Sequence, residues 1–143
     1  ELVPMAEEIL QDLEPAAQKR GITMTASGDV SPVTGSDILL YRMLYNLVEN
    51  AIKYGKQGGA VAVTLEENHG KTEIRVADDG PGIPIEMQEQ VFEPFFRVDQ
   101  SRSRASGGVG LGLALAQQIA ALHGGSLTVE KSDETGTVFL CRM

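Results

Sequence analysis

Two segments of this chain, "AVAVTLEE" and "KTEIRVAD", alternate apolar and polar residues and are separated only by the turn formers of "NHG". Alternation at period two gives each strand one apolar face, and so short a connection joins the two as an antiparallel hairpin. "SLTVEK" and "TVFLCRM" repeat the arrangement near the C-terminus, about a turn at "SDETG". The intervening stretches read as helices. Residues 2–20 place Met5, Ile9, Leu13 and Ala16/Ala17 on one stripe, and Pro15 predicts a kink or break within it. Gly21 ends that helix and "ITMTA" reads as a short strand. A second helix spans 37–54, capped by Ser36 or Asp37 and broken by "GKQGG". A short helix begins near Pro84. "LGLALAQQIAALHGG" is apolar almost all round, as a helix packed on a sheet should be, and Gly124 ends it. Helices and strands alternate irregularly and hairpins follow one another near the end. This pattern predicts an α+β two-layer sandwich rather than a doubly wound fold.

The helix over 37–54 has two unlike faces. Leu40, Leu44, Leu47, Val48 and Ala51 form the face a globular protein buries, while Asn46, Glu49, Asn50 and Lys53 fall within one narrow arc opposite. Asn is a poor helix former, so a merely wet face would more naturally carry Glu and Lys. Two Asn one turn apart, with Lys one turn further on, point to a face that coordinates something. Taken alone, a solvated face of accidental composition is the simpler reading.

At 143 residues and 42% hydrophobic, the chain is long enough for one domain with a real core. It contains no apolar run long enough to span a bilayer and no secretory leader. The opening "ELVPMAEE" has no initiating Met, which predicts a piece of a longer protein. Cys141 is the single cysteine, which excludes an internal disulfide and a Cys-built metal site and fits a reducing cytosol. Twelve Lys and Arg against twenty Asp and Glu give a net charge of −8, which argues against broad nucleic-acid binding or an anionic membrane surface. An anionic ligand is still allowed. Charges beyond about 8 Å are largely screened at physiological salt, so the immediate contacts decide.

Two glycine-bearing segments add to the picture. In "DDGPGI" a carboxylate is followed by Gly-x-Gly, which lets backbone approach a flat ligand closely. Aspartate accepts but does not donate, so it would pair with the exocyclic amine of adenine and repel the carbonyl of guanine. An ordinary Asp-Gly turn after a strand is the competing reading. In "GGVGLGL" closely spaced glycines precede a helix and would expose amides to a phosphate. It is neither a Walker A loop nor a dinucleotide fingerprint, and the eukaryotic-type kinase signatures are absent. A flexible loop is the alternative there. From Val91 to Gly110 the pattern is irregular, and reads as a loop pinned at its aromatic start.

In order along the chain, "N…N..KY", "DDGPGI", "FEPFFR" and "GGVGLGL" closely resemble the ATP-binding catalytic domain of bacterial sensor histidine kinases. The resemblance extends from about residue 2 to the C-terminus, so the whole of 1–143 is expected to be that domain. It implies the Bergerat fold, a mixed sheet covered on one face by helices, which DNA gyrase, Hsp90 chaperones and mismatch-repair ATPases share. "FEPFF" and "LHGGSLTVEK…GTVFL" look like the kinase branch.

The resemblance also implies ATP and Mg²⁺ as cofactors and gives roles to residues. Asn50 matches the Mg²⁺ ligand, with Asn46 facing the same ion and phosphate. Lys53 would neutralise phosphate oxygens, and Tyr54 would lie along the base. Asp78 matches the acceptor for the adenine amine, Asp79 being a turn residue. Gly80, Gly82 and Ile83 would bound the purine, with Thr137 beside them. Gly108, Val109, Gly110, Leu111 and Gly112 would form the phosphate end of a lid. Arg97 matches a basic position after the aromatic pair. Asn46, Glu49, Lys53 and Arg97 form the expected catalytic set, although Glu49 reads equally well as a solvated helix position. Arg102 and Arg104 are either triphosphate contacts or lid surface, and Phe92, Phe95 and Phe96 are expected core anchors. Gly55, often Thr or Ser in the family, and Glu134, where Gly is common, depart from the pattern.

What the resemblance implies of partners is a histidine-bearing dimerisation domain upstream in the same protein, a response regulator, and a homodimeric parent. The domain itself would be cytoplasmic, without nucleic acid or direct membrane contact, in a parent compatible with an inner-membrane sensor. No phosphoacceptor hairpin is present: His69 lies in a hairpin turn, and His123 ends the last helix, where a cation would suit the helix dipole. Both read as structural. The alternatives are a stand-alone serine kinase of the anti-sigma type, a non-catalytic nucleotide-binding module, and an ATPase clamp.

Overall fold

The computed structural model describes residues 1–94 and 112–143. A five-stranded sheet has the order β1 (Thr23–Gly28), β2 (Ala60–Asn68), β3 (Lys71–Asp78), β5 (Gly136–Arg142), β4 (Ser126–Asp133). β1 runs parallel to β2 and the other neighbours are antiparallel, so the sheet is mixed. The tight β2–β3 turn rests on His69 and Gly70, with φ of 55° and 77°, the paired left-handed conformation that a two-residue hairpin loop demands.

The expected alternation holds. Val61, Val63 and Leu65 of β2, Ile74 and Val76 of β3, Phe139 and Cys141 of β5, and Leu127 of β4 are buried on one face. Among the described residues three helices cover it: α1 (Leu2–Lys19), α2 (Asp37–Tyr54) and α3 (Gly112–Leu122). α2 lies between the other two and packs on β2 and β3; α1 reaches β1 and α3 reaches β4. The opposite face carries charge, with Arg75 gripping Glu130 through bonds of 2.8 and 2.9 Å while Arg142 holds Glu73 at 2.7 Å.

α2 has the predicted bounds, and its cap is Ser36, whose hydroxyl accepts from the Leu39 amide at 3.2 Å. Several expectations need correction. Pro15 does not break α1, which continues through it to Lys19. Pro15 and Gln11 are both exposed, so the carbonyl that loses its helical partner faces water. The short helix expected near Pro84 is present as a 3₁₀ turn at Ile85–Met87 with Pro84 at its N-cap, and a second such turn follows at Gln90–Phe92. α3 is not buried all round: Ala116, Ile119 and Ala120 are buried, whereas Leu115 and Leu122 are 41% and 74% exposed. The neighbouring helix and strand cover only one side of it. Phe92 meets Phe139 edge to face at 6.0 Å, an anchor on the core. Phe95, Phe96, Arg97, Arg102, Arg104 and the glycine run Gly108–Leu111 lie outside the described residues. Burial pushes the Cys141 thiol up to about 12, so it is an inert core group beside Met43.

Candidate functional site

The polar arc of α2 is not a wet surface. Asn46, Glu49, Asn50, Lys53 and Tyr54 are all half-buried, whereas Asp37, Ile38 and Arg42 of the same helix are exposed. Lys53 stands 4.0 Å from Glu49, one turn away, a loose pair at partly exposed positions that leaves both side chains free to reorient. From Asn46 to Tyr54 the helix advances about 12 Å, at 1.5 Å per residue. Each end of that span meets a different part of the chain.

At the Asn46 end the neighbour is Gly112, the first residue of α3. The Asn46 amide nitrogen donates to the Gly112 carbonyl at 3.3 Å, which leaves the Asn46 amide oxygen to accept elsewhere. The sequence reading brought these two residues to one site, and the structure joins them across 66 positions of chain.

At the Tyr54 end, α2 runs into the loop after β3. A side chain at Gly80 would place its Cβ 2.2 Å from the Tyr54 carbonyl, and one at Gly82 would stand 2.1 Å from the Asp133 carbonyl. Gly82 also has a φ of 84°, a conformation open to glycine at little cost. Gly55, the departure from the family pattern, ends α2 with its Cα beside Gly80 and faces the Asp78 Cβ. The glycines therefore leave a wall of backbone where side chains would otherwise project.

Asp78 ends β3 in register with Thr137 on β5 and Val61 on β2. Those partners are buried on the helix side, so the Asp78 carboxylate points beneath the end of α2. It accepts from the Gly80 amide at 2.9 Å. Burial raises its carboxyl above the ordinary range; the Gly80 amide pulls the other way, and the adjacent Asp79 charge adds to the rise. Asp79 is spent differently. One of its oxygens accepts from the Ala60 amide at 3.0 Å, and the other is buried with no hydrogen-bond partner among the described residues.

Thr137 is 4% exposed and shares a 2.8 Å hydrogen bond with Ser132, whose hydroxyl also accepts from the Ile83 amide at 2.7 Å. Thr137 and Ile83 thus belong to the same wall. Outside it, Pro81–Ile85, Gln88 and Ser132–Glu134 line an open cleft of about 390 Å³.

Two contributors escaped the sequence reading. Arg20, just past α1, caps the C-terminal end of α2: its guanidinium reaches the Ile52 carbonyl at 3.0 Å, the Gly55 carbonyl at 2.9 Å and the Lys53 carbonyl. Helix ends leave carbonyls unpaired, and a cation there also meets the negative end of the dipole. His123 is the other. It is structural, as expected, but not as a cation: its Nε2 accepts from the Ser36 amide at 3.1 Å, which requires that nitrogen to be unprotonated. An Arg-Gly pair at a helix end was the only available signal for the first, and nothing local announced the second.

A half-buried acceptor, a glycine-built backbone wall and a polar helix arc are thus brought together under one helix end. A family model described as histidine kinase-, DNA gyrase B-, and HSP90-like ATPase matches residues 35–143. The chain belongs to that family. The sensor histidine kinase RppB of Synechocystis sp. is 45% identical over 118 residues, covering 82% of this chain and 26% of its own length. The solved mycobacterial sensor histidine kinase MprB is 33% identical with a TM-score of 0.80, covering 97% of this chain and 93% of that one. A full-length ShkA structure in complex with AMPPNP is 25% identical with a TM-score of 0.86, over 99% of this chain and 29% of that one. The chain spans about a quarter to a third of the length of the curated relatives it matches first. Those similarities agree with the α+β fold, its mixed sheet and its helical layer on one face. Among the described residues no helix is long and apolar enough to cross a membrane, and no group of three or more His, Cys, Asp or Glu could hold a metal ion.

Proposed function

We propose that this ATPase-family domain is the ATP-binding catalytic part of a sensor histidine kinase, all of 1–143 forming that one domain. It passes the γ-phosphate of ATP to a histidine on a separate dimerisation domain of the same protein. The observation that carries the reading is the Asp78 carboxylate, half-buried beside the glycine wall where α2 ends. An acceptor-only group held half-buried against a glycine-built backbone wall selects an amine on a planar base. The similarity to the AMPPNP-bound ShkA and to named sensor kinases supports adenine as that base.

The donor set fits the cofactors. Asp78 takes the adenine amine, with Gly80, Gly82, Ile83, Thr137 and Tyr54 enclosing the ring. Asn50 and Asn46 offer neutral amide oxygens, the hard donors that suit Mg²⁺. With no acidic cluster among the described residues, phosphates and water would have to supply the remaining ligands. When bound, the ion neutralises charge on the phosphoryl group. Lys53 reaches toward phosphate oxygens, and its partner Glu49 stands by to take a proton from the acceptor histidine. Arg97 and Gly108–Gly112 complete the phosphate end. Phosphate passes next to a response regulator, and the parent is a homodimer with this domain on the cytoplasmic side.

Phosphoryl transfer depends on placing the nucleophile in line with the γ-phosphate. His69 sits on a hairpin turn and both ring nitrogens of His123 are engaged, so neither serves as acceptor. The test is incubation of the chain with γ-labelled ATP, alone and with the parent's upstream dimerisation segment as a separate polypeptide. Binding without self-labelling, and labelling of a histidine on the added segment, is expected. Efficient labelling of His69 or His123 in the chain alone would overturn the reading.

A further inference from the structure

We infer that His123 is a positioning residue for the nucleotide site, fixing where the Gly112 end of α3 stands beside Asn46; this rests on the nucleotide-binding reading above. The His123 Nδ1 lies 2.8 Å from the Ile119 carbonyl. A carbonyl only accepts, so Nδ1 carries the proton and donates. That leaves Nε2 as a lone pair, and the Ser36 amide donates to it at 3.1 Å. Ser36 is itself the cap of α2. The loop before it is shaped to the ring, since a Cβ at Gly35 would stand 2.4 Å from the His123 Cδ2. One tautomer of one imidazole therefore clamps the end of α3 to the start of α2.

The N-terminal end of α3 meets the middle of α2, where the Asn46 amide donates to the Gly112 carbonyl at 3.3 Å. α2 and α3 thus run antiparallel with a polar tie at each end of α3, about 15 Å apart along α2 at 1.5 Å per residue. Between the ties, α3 buries Ala116, Ile119 and Ala120. Two of those three are alanines, and small side chains give little interlocking to resist a slide along the neighbouring helix. The two ties fix the register of α3 against α2, while the Gln117 amide, donating to the Leu127 carbonyl at 3.2 Å, holds the helix to β4. Loss of the His123 tie lets α3 shift along α2 and carries Gly112 away from Asn46. His123 thereby acts on the nucleotide site without touching it.

The test is a double-mutant cycle in Mg-ATP affinity, measured by titration calorimetry at a temperature where circular dichroism shows every variant folded. His123→Leu should weaken binding several-fold. His123→Gln, whose side-chain carbonyl can accept from Ser36, should recover most of it. Combined with Asn46→Ala, the His123→Leu effect should shrink, because the far tie is already gone. Independent sites this far apart would instead multiply their effects. Should His123→Leu not fold, His123→Asn replaces it, its amide too short to reach Ser36. An unchanged affinity in the folded variant, or losses that multiply, overturns the inference alone. Absence of Mg-ATP binding in the unsubstituted chain overturns the nucleotide reading and this inference with it.

Discussion

The Asp79 carboxylate accepts from the Ala60 amide at 3.0 Å and so ties the loop after β3 to the first residue of β2. Its neighbour Asp78 faces the other way, under α2. Two adjacent aspartates therefore carry separable duties. Asp78→Asn should keep the fold but reduce the preference for ATP over GTP, because its amide can now donate to a guanine carbonyl. Asp79→Ala should leave that preference intact and cost roughly 1 kcal/mol, the net worth of a typical hydrogen bond. Competition binding with both nucleotides and urea denaturation read the two outcomes. A preference unchanged in Asp78→Asn would remove the adenine assignment.

Asp78 also sets a pH dependence of stability. Its folded carboxyl titrates above the ordinary 3.8, chiefly through burial. A raised value means the group stabilises the fold most when protonated, and that contribution fades as pH rises from 3.8 through the folded value. Without nucleotide, Asp78→Asn should match the unsubstituted chain near pH 3 and exceed it at pH 7. Denaturation midpoints across that range check it. A difference that stays constant with pH would show that Asp78 carries no such penalty.

In the proposed site, Asn50 would offer the metal a neutral oxygen from a half-buried helix position. Asn50→Ala should weaken ATP binding in the presence of Mg²⁺ at least tenfold, about 1.4 kcal/mol, and abolish transfer to the dimerisation segment. Its melting temperature should stay within a degree or two, since helix propensity favours Ala. Calorimetry with and without the metal decides; equal losses in both would point to a role other than metal binding.

Arg20 should matter to stability and to the base pocket together. Arg20→Met strips the cation from the Ile52 and Gly55 carbonyls. Hydrogen bonds involving a charged partner are each worth about 1.5–3 kcal/mol, so a loss on the order of 2 kcal/mol and a drop of several degrees in melting temperature are expected. Arg20→Lys should fall between, because an ammonium lacks the planar fork that spans several carbonyls. Calorimetric melting of the three chains is sufficient; no difference between Met and Arg would refute the cap.

Most of the frame was readable because its causes are local. The bounds of α2 follow from Ser36 and Gly55, and the β2–β3 turn from His69 and Gly70. The pairing of Asp78 with a glycine wall was likewise legible in "DDGPGI". What escaped depends on partners far along the chain. Arg20 finds its carbonyls 32 to 35 residues away, and His123 finds Ser36 at a distance of 87. Pro15 misled for a related reason: the cost of an interior proline depends on whether the freed carbonyl meets water, which only the folded surroundings of Gln11 decide. The exposed side of α3 shows the same limit, since an apolar helix does not announce how much of it a neighbour will cover.

The backbone wall around Asp78 bears on how an inhibitor of this site could fail. At Gly55, Gly80, Gly82 and Gly136 an added Cβ would stand 2.6, 2.2, 2.1 and 2.0 Å from the carbonyl oxygens of Ala51, Tyr54, Asp133 and Asp78. A compound that reads main-chain atoms there presents no side chain that drug pressure can exchange. Any larger residue introduced to expel it would first displace one of those carbonyls, disturbing the proposed nucleotide site along with the drug. Among the described residues proposed to face the base, escape is left to the side chains of Tyr54, Ile83, Asp78 and Thr137, a short set against which a compound can be screened from the start.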